Sequence, residues 1–128
     1  MKRIANILIV DDDVDVVNLF EQFLKLEGHK ILFKAYNGEE AIDIFKNFED
    51  EIDIVIMDHR MPLKNGLDAT KEILNINSKS KIIFVSADYT IRDQAFEVGA
   101  IDFLEKPIDF NTLNIMIEKY SSIKNETV

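Results

Sequence analysis

Three short strings in the chain are wholly apolar: Ile7–Val10, Ile54–Met57 and Ile82–Val85. They are rich in Ile and Val and do not alternate with polar residues. Runs of this kind suit central parallel strands, which are covered by helices on both faces and have no solvated side. Between them the period changes. From Asp13 to Glu27 the positions Val16, Val17, Phe20, Phe23 and Leu24 predict an amphipathic helix, with Gly28 as its stop. Gly38 to Phe48 repeats the theme with Ala41, Phe45 and Phe48. Leu67 to Leu74 is a shorter helix with Leu67, Thr70 and Leu74 on one side. Ile91 to Val98 runs up to Gly99, and Asp109 to Tyr120 carries Phe110, Leu113, Ile117 and Tyr120. Lys30–Tyr36 and Ala100–Leu104 are the two remaining strand candidates.

The chain therefore reads as five strand–helix units of about 20–25 residues each. Alternation at this pitch implies an α/β fold, with a parallel sheet and helices on both faces. A closed eight-unit barrel needs ~250 residues, and this chain has 128. An open, doubly wound five-stranded sheet is expected. The length fits a single domain over 1–128, with its core at about 4–120 and a polar tail over 121–128.

Composition narrows the function classes. The net charge of −9 argues against direct nucleic-acid binding, which needs a clustered cationic face. With no cysteine there is no disulfide, thiolate catalysis or Cys-ligated zinc, and a reducing compartment suits the chain. No apolar run approaches the ~20 residues of a bilayer span, and the N-terminal run stops at Asp11, too early for a signal peptide. The expectation is a soluble, cytoplasmic chain without membrane insertion.

In open α/β sheets the functional crevice lies beyond the carboxyl ends of the strands. Ile7–Val10 runs into Asp11, Asp12 and Asp13; Ile54–Met57 runs into Asp58; Ile82–Val85 into Ser86; Ala100–Leu104 into Glu105, Lys106 and Pro107. A parallel sheet brings these ends to one edge. Crowded carboxylates repel unless a cation intervenes. Oxygen donors without His or Cys suit a hard divalent ion such as Mg²⁺. Lys and Ser beside that ion are what a transferring phosphoryl group requires, and a carboxylate can itself be the nucleophile. Singly, each residue has an ordinary reading: helix capping for one of the three N-terminal Asp, a turn for Asp58 or Ser86, a solvated loop cation for Lys106. Their convergence on one edge is the signal.

The strings ILIVDDD at 7–13, IVIMDHRMPLKNG at 54–66, IIFVSAD at 82–88 and FLEKP at 103–107 resemble the receiver domain of two-component response regulators. The resemblance covers residue 4 to about 120, with the motifs in the family's order and spacing. It implies a flavodoxin-like, CheY-like fold with strand order 2-1-3-4-5. It also implies Mg²⁺-dependent transfer of phosphate from a histidine kinase's phosphohistidine, or from a phosphotransfer protein, to Asp58. Such a chain is a signalling phospho-acceptor, not an enzyme in the ordinary sense. Carried over by position, the Mg²⁺ set is Asp11, Asp12, Asp58 and Arg60. Asp12 is a direct ligand, and Asp11 holds the ion through water and orients Asp12. Asp58 belongs to the metal set as well as being the acceptor, and the backbone carbonyl of Arg60 supplies the third protein oxygen. Ser86 and Lys106 contact the phosphoryl group once it is on Asp58, and Ser86 and Phe103 form the switch. Lys106–Pro107 corresponds to a bond that is cis in the family. Asp13 falls outside the metal set and is expected to cap a helix. Phe103 stands where many members have Tyr, keeping the ring without its hydroxyl. Arg60 and Asp88 occupy positions that influence how fast phosphate is lost. The face formed by Ile91, Phe103 and the start of the Asp109 helix is the expected contact for a downstream protein.

Three other readings stay open at this level. Asp11-Asp12-Asp13 formally supplies the Asp-x-Asp of a haloacid-dehalogenase-type phosphatase, although Asp58 has no place in that scheme. A flavin or nucleotide binder shares the fold, but the four glycines (Gly28, Gly38, Gly66 and Gly99) spell no phosphate-binding loop. A degenerate receiver acting only as a docking module is opposed by the intact acidic set. His29, in a turn, reads as structural, and His59 as a packed or solvent-facing ring.

Overall fold

The computed structural model describes residues 3–121. The elements are β1 (Asn6–Val10), α1 (Val14–Leu26), β2 (Lys30–Ala35), α2 (Gly38–Phe48), β3 (Ile54–Met57), α3 (Gly66–Ile76), β4 (Lys81–Ser86), α4 (Arg92–Glu97), β5 (Asp102–Glu105) and α5 (Phe110–Tyr120). A short 3₁₀ turn, Tyr89–Ile91, leads into α4. All strand pairs are parallel, as the strand–helix alternation predicts, and the order is β2-β1-β3-β4-β5, as the resemblance implies.

The unbroken apolar strands are explained by two separate cores. Successive strand residues point to opposite faces. Leu8, Val10, Val55, Met57, Ile82 and Phe84 face α2, α3 and α4, where they meet Ala41, Phe45, Ile73 and Ala95. Ile7, Ile9, Ile54, Ile56, Ile83 and Val85 face α1 and α5, where they meet Val17, Phe20, Leu24, Leu113 and Ile117. On that second side the Phe110 ring packs against Phe20 and Phe23, at centroid distances of 5.7 and 4.9 Å.

Helix starts follow local hydrogen bonding. The carboxylate of Asp13 accepts from the N–H groups of Asp15 and Val16, the capping role expected of it. Asn37, Asn65 and Asp109 cap α2, α3 and α5 in the same way. Gly28 (φ 95°) ends α1 in the left-handed region that glycine adopts without penalty, and the His29 N–H bonds back to the Leu24 carbonyl. His29 is structural, as expected. Its Nδ1 accepts from the Ala5 N–H at 3.0 Å, so Nε2 carries the proton and donates to Asn114 Oδ1 at 2.7 Å. The Asn114 amide in turn donates to Glu27 and Glu118.

Several boundaries differ from expectation: α3 runs Gly66–Ile76 instead of Leu67–Leu74 and β2 ends at Ala35 instead of Tyr36, and three others have a visible cause. β5 runs Asp102–Glu105 instead of Ala100–Leu104, because the Ala100 N–H is spent on the Ala95 carbonyl at the end of α4. The helix expected from Ile91 starts at Arg92, since Asp88 caps a tighter turn ahead of it. Ser121, expected to open the polar tail, is buried and its hydroxyl donates to the Ile117 carbonyl. The rest of that tail lies outside the described residues.

Ile56 is 1% exposed at the centre of the sheet, whereas Leu26 is 85% exposed. Ile56→Ala is expected to lower unfolding stability by about 2–5 kcal/mol. Leu26→Ala should change it by less than about 0.5 kcal/mol, and urea unfolding of the two variants checks the contrast.

Candidate functional site

β1 and β3 are adjacent, and their ends deliver the acids side by side. The Asp58 N–H donates to the Val10 carbonyl at 2.9 Å, so the pairing of β3 with β1 carries on into the acidic residue. Gly66 lets the next loop close beneath it. A Cβ there would lie 2.1 Å from the Asp58 carbonyl oxygen, a contact no side chain tolerates. Lys106, beyond the last strand, reaches Asp11, beyond the first: its Nζ donates to Asp11 Oδ2 at 2.8 Å. The same ammonium lies 3.6 Å from Asp58 Oδ1. Asp11 is held from its other oxygen by the Asp13 N–H at 2.9 Å. Asp11 and Asp58 are buried and Asp12 is exposed, and carboxylate oxygens of the three lie within 4.8 Å of one another.

Ser86 ends β4, nearly fully buried, and its Oγ accepts from the Asp88 N–H at 3.0 Å. Asp58, Arg60, Ser86, Asp88, Thr90 and Lys106 are among the residues lining an open cavity of about 480 Å³ over this edge. The Lys106–Pro107 peptide is cis, as the resemblance implied. The structure thus groups Asp11, Asp12 and Asp58, joins Lys106 to the first and last of them, and places Asp58, Ser86 and Lys106 on one cavity, while Phe103 lies behind it in the core. His59 is not among the grouped acids; burial holds its imidazole below the ordinary value, and Nδ1 has no partner among the described residues.

The expected partner face needs correction. Ile91 and Phe103 are 6% and 8% exposed, so both belong to the core and present no contact surface. The Phe103 ring stacks on Phe84, with centroids 6.4 Å apart and planes at 11°. The exposed apolar groups nearby are Tyr89 and Phe96. Sequence reading also missed a pairing: Arg60 Nη2 and Asp88 Oδ2 form an ion pair at 2.9 Å. Nothing in the spacing of two residues 28 apart shows that they meet.

Comparison with known proteins now decides the family. The profile of the response regulator receiver domain matches residues 7–118. The chain belongs to that family. It is 38% identical over 103 residues to the chemotaxis protein CheY of Thermotoga maritima, covering 79% of this chain and 84% of that protein. It is 34% identical over 105 residues to the transcriptional regulatory protein CpxR of Escherichia coli K12, covering 80% of this chain but only 43% of CpxR. Among solved structures, a chain of the CheX–CheY–BeF₃–Mg²⁺ complex from Borrelia burgdorferi superposes with a TM-score of 0.85 at 31% identity, covering 92% of this chain and 90% of that one.

As a receiver domain the chain is a signalling phospho-acceptor, with Asp11, Asp12 and Asp58 as its acidic pocket for Mg²⁺-dependent phosphorylation. The donor set fits the ion. It offers carboxylate oxygens only, and one ammonium is too little positive charge for three crowded acids. Receiver domains act through protein partners. Among the described residues no helix is long and apolar enough to cross a membrane.

Electrostatics show how tight the receiver pocket is. Burial first, and the charge of Asp11 next, push the Asp58 carboxyl up to about 6 against the pull of Lys106. For Lys106, burial works to lower the ammonium, but the Asp11 hydrogen bond and the Asp58 charge outweigh it and hold the group above its ordinary value. An unfolded Asp titrates near ~3.9. A raised folded value means that Asp58 favours folding when protonated; that contribution is full below about pH 4 and lost as pH rises through about 6. Without Mg²⁺, Asp58→Asn is therefore expected to be more stable than wild type by about 1–2 kcal/mol at pH 7.5, and equal to it near pH 4. Saturating Mg²⁺ should narrow or reverse the gap at pH 7.5, because only wild type keeps the full donor set. Urea unfolding at the two pH values, with and without Mg²⁺, checks all three outcomes.

Proposed function

We propose that Asp58 is the residue phosphorylated, with a phosphohistidine of a histidine kinase or phosphotransfer protein as donor. The observation that carries this reading is the placement of Asp58 between the acids and the ammonium, with Lys106 Nζ 3.6 Å from its Oδ1 and its carboxylate on the open cavity. At neutral pH the carboxyl is past its pKa of about 6 and presents an anionic nucleophile. One Asp58 oxygen attacks phosphorus as the bond to the imidazole nitrogen breaks, and the imidazole leaves with that electron pair.

Asp12 and the Arg60 backbone carbonyl would hold Mg²⁺ directly and Asp11 through water. Bound there, the ion supplies charge neutralisation for the phosphoryl oxygens. Asp11 suits the indirect role because both its oxygens are already engaged, by Asp13 and by Lys106. Lys106 is near enough to both acids to follow the charge as it builds on the phosphoryl group. Ser86 has its hydroxyl proton available, since its oxygen is the acceptor for Asp88. Movement of that hydroxyl toward a phosphoryl oxygen leaves space behind it, and Phe103 is the ring on the neighbouring β5 that can respond.

The downstream partner, in this reading, docks through the exposed Tyr89 and Phe96, which stand on the same turn and helix as the buried Ile91. The setting is the cytoplasm, which suits a chain without cysteine. Which protein receives the signal is a separate matter, because relatives of very different length share this domain.

Incubation with Mg²⁺ and acetyl phosphate, followed by peptide mapping, tests the assignment. Hydroxylamine-labile label on Asp58, absent from Asp58→Asn, is expected. Label on Asp11 instead indicates the phosphatase reading, and no label a docking module. Asp12→Ala should remove most of the Mg²⁺-induced rise in melting temperature while Lys106→Ala keeps it, because an ammonium does not ligate the ion.

A further inference from the structure

Asp88 ties together three pieces of chain around the cavity, and its own carboxylate has no part in the phosphorylation chemistry above. Its N–H donates to Ser86 Oγ. One carboxylate oxygen accepts from the N–H and the hydroxyl of Thr90, capping the Tyr89–Ile91 turn. The other takes Arg60 Nη2 at 2.9 Å. Arg60 lies two residues past Asp58, and Asp88 two past Ser86. The pair therefore bridges the β3–α3 and β4–α4 loops across the cavity that both residues line.

Charge counting gives this bridge a role. Three carboxylates, one ammonium and one divalent ion balance to neutrality. A phosphoryl group adds roughly −1.5 to −2 of charge in place of the single charge on Asp58, so the filled site falls about one cation short. Among the described residues lining the cavity, Lys106 and Arg60 are the two cations, and Lys106 is already committed to Asp11 and Asp58. A guanidinium also matches phosphoryl oxygens with paired donors. The Arg60 side chain is 79% exposed and that of Asp88 14%, so the guanidinium stays largely in water while it is paired. A pair of that kind favours the closed arrangement by no more than about fivefold, which a doubly charged group in the cavity can overcome.

Resting on the reading of Asp58 as acceptor, we propose that Arg60 is the outer cationic partner of the phosphoryl group, and that Asp88 is a positioning residue that holds it in reserve until Asp58 is modified. On phosphorylation Arg60 turns from Asp88 to the phosphoryl oxygens. The Ser86 hydroxyl, reaching for the same group, releases the Asp88 N–H. Both outside ties of Asp88 are lost together, and the turn that carries Tyr89 is freed from the β3–α3 loop. Signal thus leaves by a second route, separate from the Phe103 ring.

Beryllofluoride with saturating Mg²⁺, a stand-in for the phosphoryl group, provides the test, with affinity read by calorimetry. Arg60→Gln, which keeps the backbone carbonyl, is expected to weaken binding by about tenfold. Asp88→Asn, which keeps the turn's cap, should tighten it about two- to fivefold by freeing Arg60. In the Arg60→Gln background Asp88→Asn should change nothing, as one interaction requires. Asp88→Glu should restore wild-type affinity, and raising salt should shrink the difference between wild type and Asp88→Asn. Unchanged affinity in Arg60→Gln overturns the proposal. So does an Asp88→Asn effect that persists without Arg60, since that marks a purely structural role. Binding by Asp58→Asn as tight as wild type overturns the Asp58 assignment itself, and the proposal with it.

Discussion

Everything at the working edge depends on one electrostatic arrangement: buried acids with a single lysine to hold them. Lys106 joins the end of the last strand to the start of the chain, 95 residues earlier, through its bond to Asp11. Two buried carboxylates without that ammonium would repel across a poorly solvated gap, and at least one would take up a proton. The fold supplies the lysine at the one place where strands β1 and β3 expose their acids. The site is therefore pre-organised yet short of positive charge, which is the condition for binding a divalent ion and then a phosphoryl group.

The surrounding backbone keeps this arrangement from relaxing. Asp13 both caps α1 and donates its N–H to Asp11, so the helix start and the first acid are set by one residue. Gly66 allows the β3–α3 loop to lie against the Asp58 carbonyl, and its N–H bonds to the His59 carbonyl at 2.8 Å. Neither residue touches a ligand. Each limits where an acid can move, and so protects the short distances on which the chemistry relies.

How much of this the sequence carried depends on the range of the interaction. β1, β3 and β4 were legible because a strand buried on both faces needs apolar residues at every position, a signal carried within four or five residues. The acids, Ser86 and Lys106 were legible because parallel strands must bring their ends together. β5 was misplaced by two residues because Ala100 looks like a strand residue, while its N–H closes the preceding helix. Ile91 and Phe103 were read as surface because periodicity shows which residues are apolar, not how deeply an edge strand is covered. The Arg60–Asp88 pair and the His29–Asn114 contact were invisible, since each joins distant segments through a side-chain geometry that spacing does not encode.

The division of helices between the two sides of the sheet has a consequence for the order of events as the chain is made. Helices α2, α3 and α4 follow one another and cover their face from consecutive sequence. On the opposite face, α1 emerges early but its neighbour α5 comes last. Val17, Phe20 and Leu24 therefore wait through most of synthesis for Leu113 and Ile117 to cover them, and Phe20 and Phe23 wait for Phe110. A ribosome-bound chain that stops before α5 presents one finished side and one sticky side. The second side closes only once α5 has emerged and docked beside α1.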